Sequence, residues 1–512
     1  MPPVSFVLVL HGHMPAVLGH GVWPHGADWL HEAAAETYLP FVAAARALEA
    51  EGVPWKATVG LTPILCEQLR DPRFPRSFRR YVTHRLRAAG RDAREFARDG
   101  HVAEPLARAW RAHYEEGLAL FDALGGDPVA PFAPMAGEGG SGAGAPAATA
   151  HGGPCGRAAR GFWPPECAAA PAGTLVTPGY GRRVARRSIP SLLASRGLAY
   201  TFVDTPLVAG PSAGAAAGGS AGRRWPAAAG SLAASSPYQV PRVRTDAGRF
   251  ALLARDPRSS EQVWSGEVGY PGDPAYLEFH RKAARGGLRY WSVTDARGPL
   301  DAKELYEPVE TRARVAAHAT HFCDLLEETA RAESGARVVV AMFDFELFGH
   351  WWFEGVAFLG AVFRELARRD GPVRAETAAE AVRGAGADAV EVEPGAGSWG
   401  RGGDFRVWDD AETKPFWQSV EEAEAQLRRI EARDPGLLPA ALRQALLLQA
   451  SDWPFLVDGG TARDYAERRI EEHAGALRAL AELAGRRRSR GDALLLARLA
   501  RLDRAFRPEL GG

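Results

Sequence analysis

The stretch Val4 to Leu10 is apolar at six of its seven positions, rich in valine, and stops abruptly at His11-Gly-His13. A strand apolar on both faces has to be covered on both, as happens in a parallel sheet with helices around it. A second run of the same kind, Arg337 to Phe343, stops at Asp344. Between them lie segments such as Leu30 to Glu51, where apolar residues recur at three- and four-residue spacing, as an amphipathic helix requires. Buried strands alternating with such helices predict an α/β chain with a parallel sheet or barrel inside and helices outside. Chemistry in these folds gathers at the C-terminal ends of the strands. His11, His13, Glu166 and Asp344 are all expected at such ends.

With 512 residues, the chain has room for one large catalytic domain and a smaller appendage. The character changes after about residue 395. A Trp-rich loop (Trp399, Trp408, Trp417) leads into helical patterns over Ser419 to Arg433, Leu438 to Ala450, Thr461 to Leu483 and Asp492 to Phe506. Residues 1–395 are therefore expected to form the catalytic domain and residues 396–512 a helical C-terminal domain. Ala136 to Gly161 and Ala209 to Ser236 are rich in Gly, Ala, Ser and Pro and read as loops. Lys+Arg and Asp+Glu balance at 62 each, so no net charge draws the chain to nucleic acid or a membrane surface. The four cysteines show no paired-ligand spacing, which argues against a disulfide framework or a structural zinc site. The first residues carry no basic leader and no span-length apolar run, so a cytoplasmic protein is expected.

Glu166 lies in Gly161-Phe-Trp-Pro-Pro-Glu-Cys167, where two prolines stiffen the backbone in front of it. Asp344 leaves its apolar strand into Phe-Glu-Leu-Phe-Gly-His-Trp-Trp, an aromatic surround of the kind that raises a carboxyl pKa. Two carboxylates in different environments are the minimum for cleaving a glycosidic bond, one as nucleophile and one as acid/base. Either could equally be an ordinary paired carboxylate at a strand end. The 14 tryptophans tilt the balance, because many stand in loops beside polar residues and indole faces stack on pyranose rings. Core packing accounts for about half of them. His11 and His13 share one face of an extended segment. They are expected to hydrogen-bond sugar hydroxyls or the acids rather than to hold a metal, since no third ligand stands at a fitting spacing. Glu346 shares the Asp344 face if the strand continues and would orient it or pair with a base.

These segments together resemble glycoside hydrolase family 57, and within it the 1,4-α-glucan branching enzymes. The resemblance is carried by His11-Gly-His-Met-Pro15, Asp28-Trp-Leu-His-Glu to Leu39, Trp163-Pro-Pro-Glu-Cys167, Phe343-Asp-Phe-Glu-Leu-Phe-Gly-His-Trp-Trp352 and Gln449-Ala-Ser-Asp-Trp-Pro-Phe455. Val263-Trp-Ser, Ser398-Trp-Gly and Val407-Trp408 add to it. It implies a distorted (β/α)7 barrel, a loop-rich inserted subdomain around residues 205–262 and a helical C-terminal domain. It implies a retaining transglycosylase with Glu166 as nucleophile and Asp344 as acid/base, re-attaching cleaved α-1,4-glucan as an α-1,6 branch, as in glycogen biosynthesis. The implied substrate contacts are His11, His13, Trp29, His151, Tyr238, Trp264, Trp399, Trp408, Asp452 and Trp453, with Tyr238 on a mobile loop over the site. No cofactor and no metal are implied; the partner is an α-1,4-glucan polysaccharide such as amylose or glycogen, with neither nucleic acid nor membrane, and the chain is expected to be a monomer.

The sequence departs from the family pattern at several places. Pro164 replaces a usual leucine, Ala168 to Ala170 stand where an aromatic follows the Glu-Cys pair, and Ala16 replaces an aromatic. An extra Ala150 interrupts the segment before Pro154, and about one helix normally preceding the nucleophile is missing. Two other readings therefore stand beside the branching one. The scaffold could serve an α-amylase or 4-α-glucanotransferase, or a glucan-binding protein with impaired catalysis.

Overall fold

The computed structural model describes residues 3–132, 160–209, 235–265, 268–333, 335–386 and 389–506. Most of the two Gly/Ala-rich stretches, with His151 and Cys155, lies outside the described residues.

Seven strands among the described residues run parallel: β1 (Val4–Gly12), β2 (Thr58–Leu61), β3 (Gly161–Phe162), β4 (Tyr200–Val203), β5 (Gly248–Ala254), β6 (Val338–Asp344) and β7 (Val373–Ala375). β3 pairs with β4 and β4 with β5, and a parallel bridge from Arg255 to Val340 joins β5 to β6. β6 pairs with β1 from Ser5 to His11, so the opposite edge of β1 is shared by β7 at Val4–Phe6 and β2 at Val9–Gly12. This is the parallel architecture of a distorted (β/α)7 barrel. Period-two alternation sorts the two longest strands. Phe6, Leu8 and Leu10 of β1, with Val339, Ala341 and Phe343 of β6, pack outward into a core shared with the helices Pro308–Ala332 and Gly355–Arg368. Val7 and Val9, with Val338, Val340 and Met342, pack against Trp163, Phe202 and Leu253. That second row runs on to His11 and Asp344, which stand opposite each other in register.

The segment expected as an insertion is in part the barrel itself, because Gly248–Ala254 is β5. A short strand, Arg242–Thr245, folds back antiparallel on it. Its apolar run was masked in the sequence by the Gly/Ala-rich stretch in front of it. Leu30 to Glu51 is helical as expected but not uniform: Ala27–Ala33 passes into a π-helical turn, Ala34–Tyr38, before Leu39–Ala50. The helices Phe74–Asp99 and Glu104–Ala123 pack on this segment through Phe74, Phe78, Tyr81 and Tyr114.

A separate core gathers Phe416, Val420, Ile430, Leu448, Trp453, Tyr465 and Leu477 from the helices Lys414–Arg433, Leu438–Leu448, Asp452–Gly459 and Arg463–Leu483. Trp29 packs on both this core and the barrel core. Arg469, fully buried, donates to the Ala16 carbonyl at 2.9 Å, and Ala16 itself packs against Leu447 and Ala505. The missing aromatic at position 16 thus leaves room for a close seam between barrel and C-terminal helices. No described helix is long and apolar enough to cross a membrane.

Candidate active site

β1 and β6 deliver their polar ends side by side. Gly12, between the two histidines, admits this approach: a side chain there would meet Leu61 at 2.6 Å. Beyond it, the His13 backbone N–H donates to the Glu346 carboxylate at 3.1 Å, and Tyr38, at the end of the π-helical turn, donates its hydroxyl to the same carboxylate. Burial lifts Glu346 to about 7, against the pull of Tyr38 and His13. Glu346 therefore ties the two strand ends together through His13 and Tyr38 and acts on Asp344 as a neighbouring like charge.

The His13 ring reaches across to the C-terminal helices. Its Nε2 lies 2.6 Å from Asp452 Oδ2, and its Nδ1 lies 3.3 Å from the Thr62 hydroxyl. Burial works against the charged ring, but Asp452, with Glu166 and Glu346 nearby, outweighs it and raises His13 to about 9. His11 goes the other way. Its ring is stacked between His13, at 6.0 Å, and Trp163, at 4.7 Å and nearly parallel. Burial, then the His13 charge, holds it well below the usual histidine range, so it is neutral. His11 Nδ1 and Trp163 Nε1 are buried without a hydrogen-bond partner among the described residues, which leaves both available to a ligand.

Glu166 is reached by a different route. It sits just past β3 in a single 3₁₀ turn, Pro165–Cys167, with φ 58° and ψ 28°, in the left-handed region that a side chain with a Cβ adopts at a cost of about 1–2 kcal/mol. Cys167, at φ 48°, follows in the same region. Pro164 suits the turn, since its φ of −63° is the value its ring fixes and its carbonyl accepts the Cys167 N–H at 2.9 Å. The alanines that depart from the family pattern form a seam: Ala169 exchanges both backbone hydrogen bonds with Gly397. That seam brings Trp399 to Glu166, where its backbone N–H donates to the Glu166 carbonyl at 3.0 Å and its indole N–H to the carboxylate at 2.9 Å. Burial raises the Glu166 carboxyl, while the hydrogen bonds from Trp399 and Ser451 and the His13 charge restrain the rise. Asp344 is lifted well above the carboxylate range by burial first, then by Glu346, Glu166 and Asp452, with only His13 opposing. Both acids are thus raised, Asp344 well above its range and Glu166 against the pull of its donors, an inequality that suits Asp344 to give a proton and Glu166 to attack.

Trp264, 38% exposed, stands edge-on to Trp399 at 6.0 Å, which in turn stands edge-on to Trp163 at 5.1 Å. This row leads from solvent to the carboxylates. Trp29 is half-buried at the domain seam against His25 and Tyr465. Three expected contacts are placed differently. Tyr238 is buried, its hydroxyl donates to Asp256 at 2.9 Å, and its carbonyl accepts from Arg337 and Val338 at the start of β6, so it anchors the far end of the strand rather than covering the site. Trp453 is fully buried in the C-terminal core with its indole N–H on the Leu447 carbonyl at 2.9 Å, which makes it a packing residue. Trp408 is buried too, under Gly400 and with its carbonyl taken by Trp417. For Tyr238 and Trp453, burial of a large ring outweighs display to a ligand, while the Trp408 indole N–H, like that of Trp163, has no hydrogen-bond partner among the described residues.

The sequence reading passed over Asp204 and Arg255. They follow β4 and β5 directly, pair at 2.9 Å, and Arg255 lies 5.7 Å over the Trp399 ring, so they brace the indole that holds Glu166. The signal was present, since each ends an apolar run on a charge as β1 and β6 do. No group of three or more His, Cys, Asp or Glu among the described residues could hold a metal ion, and Cys66, Cys167 and Cys323 are buried and form no disulfide among the described residues.

Comparison with known proteins bears on this geometry. Residues 418–510 match the family described as 1,4-alpha-glucan branching enzyme, C-terminal. The 1,4-alpha-glucan branching enzyme of Thermococcus kodakarensis is 33% identical over 98% of this chain and 77% of its own length. Its crystal structure, a GH57 branching enzyme with glucose and additives, superposes with a TM-score of 0.86 at 31% identity, covering 99% of this chain and 95% of that one. A probable 1,4-alpha-glucan branching enzyme of Mycobacterium tuberculosis is 32% identical over 95% of this chain and 93% of its own. The α-amylase AmyC of Thermotoga maritima superposes with a TM-score of 0.75 at 25% identity, covering 98% and 97%.

Proposed function

The chain belongs to the GH57 1,4-α-glucan branching enzymes, and from that membership we propose that it cuts α-1,4-glucan through Glu166 and Asp344 and re-attaches the cut piece as an α-1,6 branch. Glu166 attacks the anomeric carbon as Asp344 gives its proton to the departing 4-oxygen, leaving a glucosyl ester on Glu166. A sugar 6-hydroxyl then attacks that carbon, its proton passes to Asp344, and the ester bond breaks. His13, charged and clamped by Asp452, opposes the rise that burial imposes on Glu166. His11 Nδ1 and Trp163 Nε1 hydrogen-bond the sugar at the cleavage point, and Trp264 and Trp399 carry the chain toward it.

The observation that carries this assignment is the unequal treatment of two neighbouring acids. Glu166 receives an indole donor, a hydroxyl donor and a nearby cation, whereas Asp344 is buried among negative neighbours. Incubating the purified protein with amylose, and counting new α-1,6 linkages against new reducing ends beside Glu166→Gln, is the test. Many linkages with few reducing ends, both abolished in the variant, are expected. Reducing ends alone would make it a hydrolase, and linkages surviving in Glu166→Gln would remove Glu166 from the reaction.

A further inference from the structure

The helical segment beside Asp344 is interrupted by one π-helical turn, Ala34–Tyr38, which ends with the Leu39 N–H on the Ala34 carbonyl, five residues back. Such turns are rare, occur mostly singly and are frequent at functional sites. The wider turn rotates less per residue than the about 100° of an α-helix, which keeps consecutive groups nearer one face. Three consecutive residues of it meet the segment that follows Asp344. The Glu36 carbonyl presses on Gly349, where φ is 114° and no Cβ would fit. The Thr37 hydroxyl accepts the His350 N–H at 3.1 Å, and Tyr38 donates its hydroxyl to Glu346. The turn is itself braced from behind, since the Glu36 carboxylate takes Arg289 at 2.5 Å and the Tyr114 hydroxyl at 3.3 Å. Glu36, Thr37 and Tyr38 are all buried.

Glu346 carries this contact on to the reacting acid. Its Oε1 takes both the Tyr38 hydroxyl and the His13 backbone N–H. Facing it are Tyr38 from the turn, His13 from the loop after β1 and Asp344 from its own segment, while the Cys66 thiol faces Tyr38 from the helix Pro63–Leu69. We propose that the π-helical turn aligns the acid/base segment, and that Tyr38, acting through Glu346, is a positioning residue for Asp344. The inference rests on the assignment of Asp344 as acid/base above. The Tyr38 hydroxyl opposes the rise that burial imposes on Glu346, which lies at about 7. On the alkaline side of neutrality Glu346 is therefore charged, and as a like charge it favours the protonated form of Asp344, together with Glu166 and Asp452 and against His13. Without the hydroxyl, Glu346 holds a proton more readily and Asp344 loses its own at lower pH.

The test is the pH dependence of amylose cleavage by the full chain, counting branches and reducing ends together so that the acceptor does not enter. Tyr38→Phe keeps the ring beside Phe345, at 5.5 Å, and removes only the hydroxyl. It is expected to move the alkaline limb of kcat/KM to lower pH, with a loss of about tenfold on that side. The acid limb should stay in place, because the donors of Glu166 are untouched. Glu346→Gln keeps an oxygen for both donors without the charge and should move the alkaline limb the same way. In that background Tyr38→Phe is expected to add no further shift. Tyr290→Phe, which takes an equally buried hydroxyl from Asp92, is the control and should move neither limb. A loss in Tyr38→Phe that is uniform across pH would overturn the proposal, as would a further shift in the Glu346→Gln background. Carboxyl-carbon NMR of aspartate-labelled protein, assigned with Asp344→Asn, reads the same step without turnover. The Asp344 titration is expected at lower pH in Tyr38→Phe, and an unchanged one would overturn the role of Tyr38. Wild-type protein that leaves amylose uncut would sink the cleavage assignment, and the NMR titration would then decide for or against Tyr38 by itself.

Discussion

Two routes bring a carboxylate to this site. Asp344 closes β6, a seven-residue strand with ordinary extended backbone, and needs nothing but the strand to place it. Glu166 follows a strand of only two residues and is held in a left-handed turn by groups from residues 397–399 and 451. Strand delivery fixes position cheaply but leaves the acid in an apolar, negatively surrounded place that raises its pKa. Turn delivery stores strain and calls on distant donors, and those donors are what an anion needs. The difference in backbone thus accompanies the difference in chemical role.

The largest effects break the comparison outright. Glu166→Ala and Asp344→Ala are each expected to lower kcat on amylose by about 10³-fold or more. They part on an α-maltooligoside with a good leaving group. Asp344→Ala should recover much of the first step, since that leaving group needs no proton, whereas Glu166→Ala should not. Equal recovery in both would mean the roles are not divided as described.

Next in size is the donor side of the turn. Trp399→Phe keeps the ring but removes the indole N–H on Glu166, a hydrogen bond to a charged group contributing about 1.5–3 kcal/mol. Activity should fall about 10- to 100-fold, with the acid limb of the kcat/KM profile moving to higher pH as Glu166 loses a donor that restrains its pKa. An unchanged profile would show that Trp399 serves packing alone.

The charge shared by both acids gives a smaller, signed effect. His13 is charged up to about 9 and lowers both Glu166 and Asp344. His13→Gln should therefore shift both limbs of the kcat/KM profile to higher pH. Asp452→Asn removes a charge that raises both acids as well as one that keeps His13 charged, so its shift should be smaller than that of His13→Gln. For stability the sign follows from the raised value. The His13–Asp452 contribution is complete below the unfolded histidine value of about 6.5 and is lost as pH rises through about 9. A wild-type melting temperature that falls across that interval more than the Asp452→Asn one checks it.

What could be read from the sequence follows the same division. β1 and β6, with His11 and Asp344 at their ends, were legible because a buried strand writes its faces in alternation and its end in a change to polar residues. Asp204 and Arg255 carry that same mark and were recoverable by it. Glu166 was legible as an acid behind two stiffening prolines and its role as a motif resemblance, but its left-handed turn was not, since no periodicity announces one. The His13–Asp452 contact spans 439 residues and joins a strand end to a helix start, a pairing that packing creates and spacing cannot show. Tyr238, Trp408 and Trp453 went astray for the opposite reason. A ring in a polar, loop-like stretch reads as displayed, yet the Tyr238 hydroxyl found a carboxylate, the Trp453 indole a carbonyl, and the Trp408 ring lies buried under Gly400.

The smallest effect is the sharpest test of backbone alone. Alanine and glycine both remove the carboxylate, so comparing them at one position cancels the charge and isolates the Cβ. In a strand, glycine is less stable than alanine by about 0.5–1 kcal/mol, because it loses more chain entropy on folding. At a left-handed position the Cβ costs about 1–2 kcal/mol, which exceeds that entropy. Glu166→Gly should therefore be more stable than Glu166→Ala by about 0.5–1 kcal/mol, while Asp344→Gly should be less stable than Asp344→Ala by a similar amount. Denaturant unfolding of the four variants reads the sign directly. The same sign at both positions would mean that Glu166 is not strained, and that its place in the site comes from its hydrogen-bond donors without help from the turn.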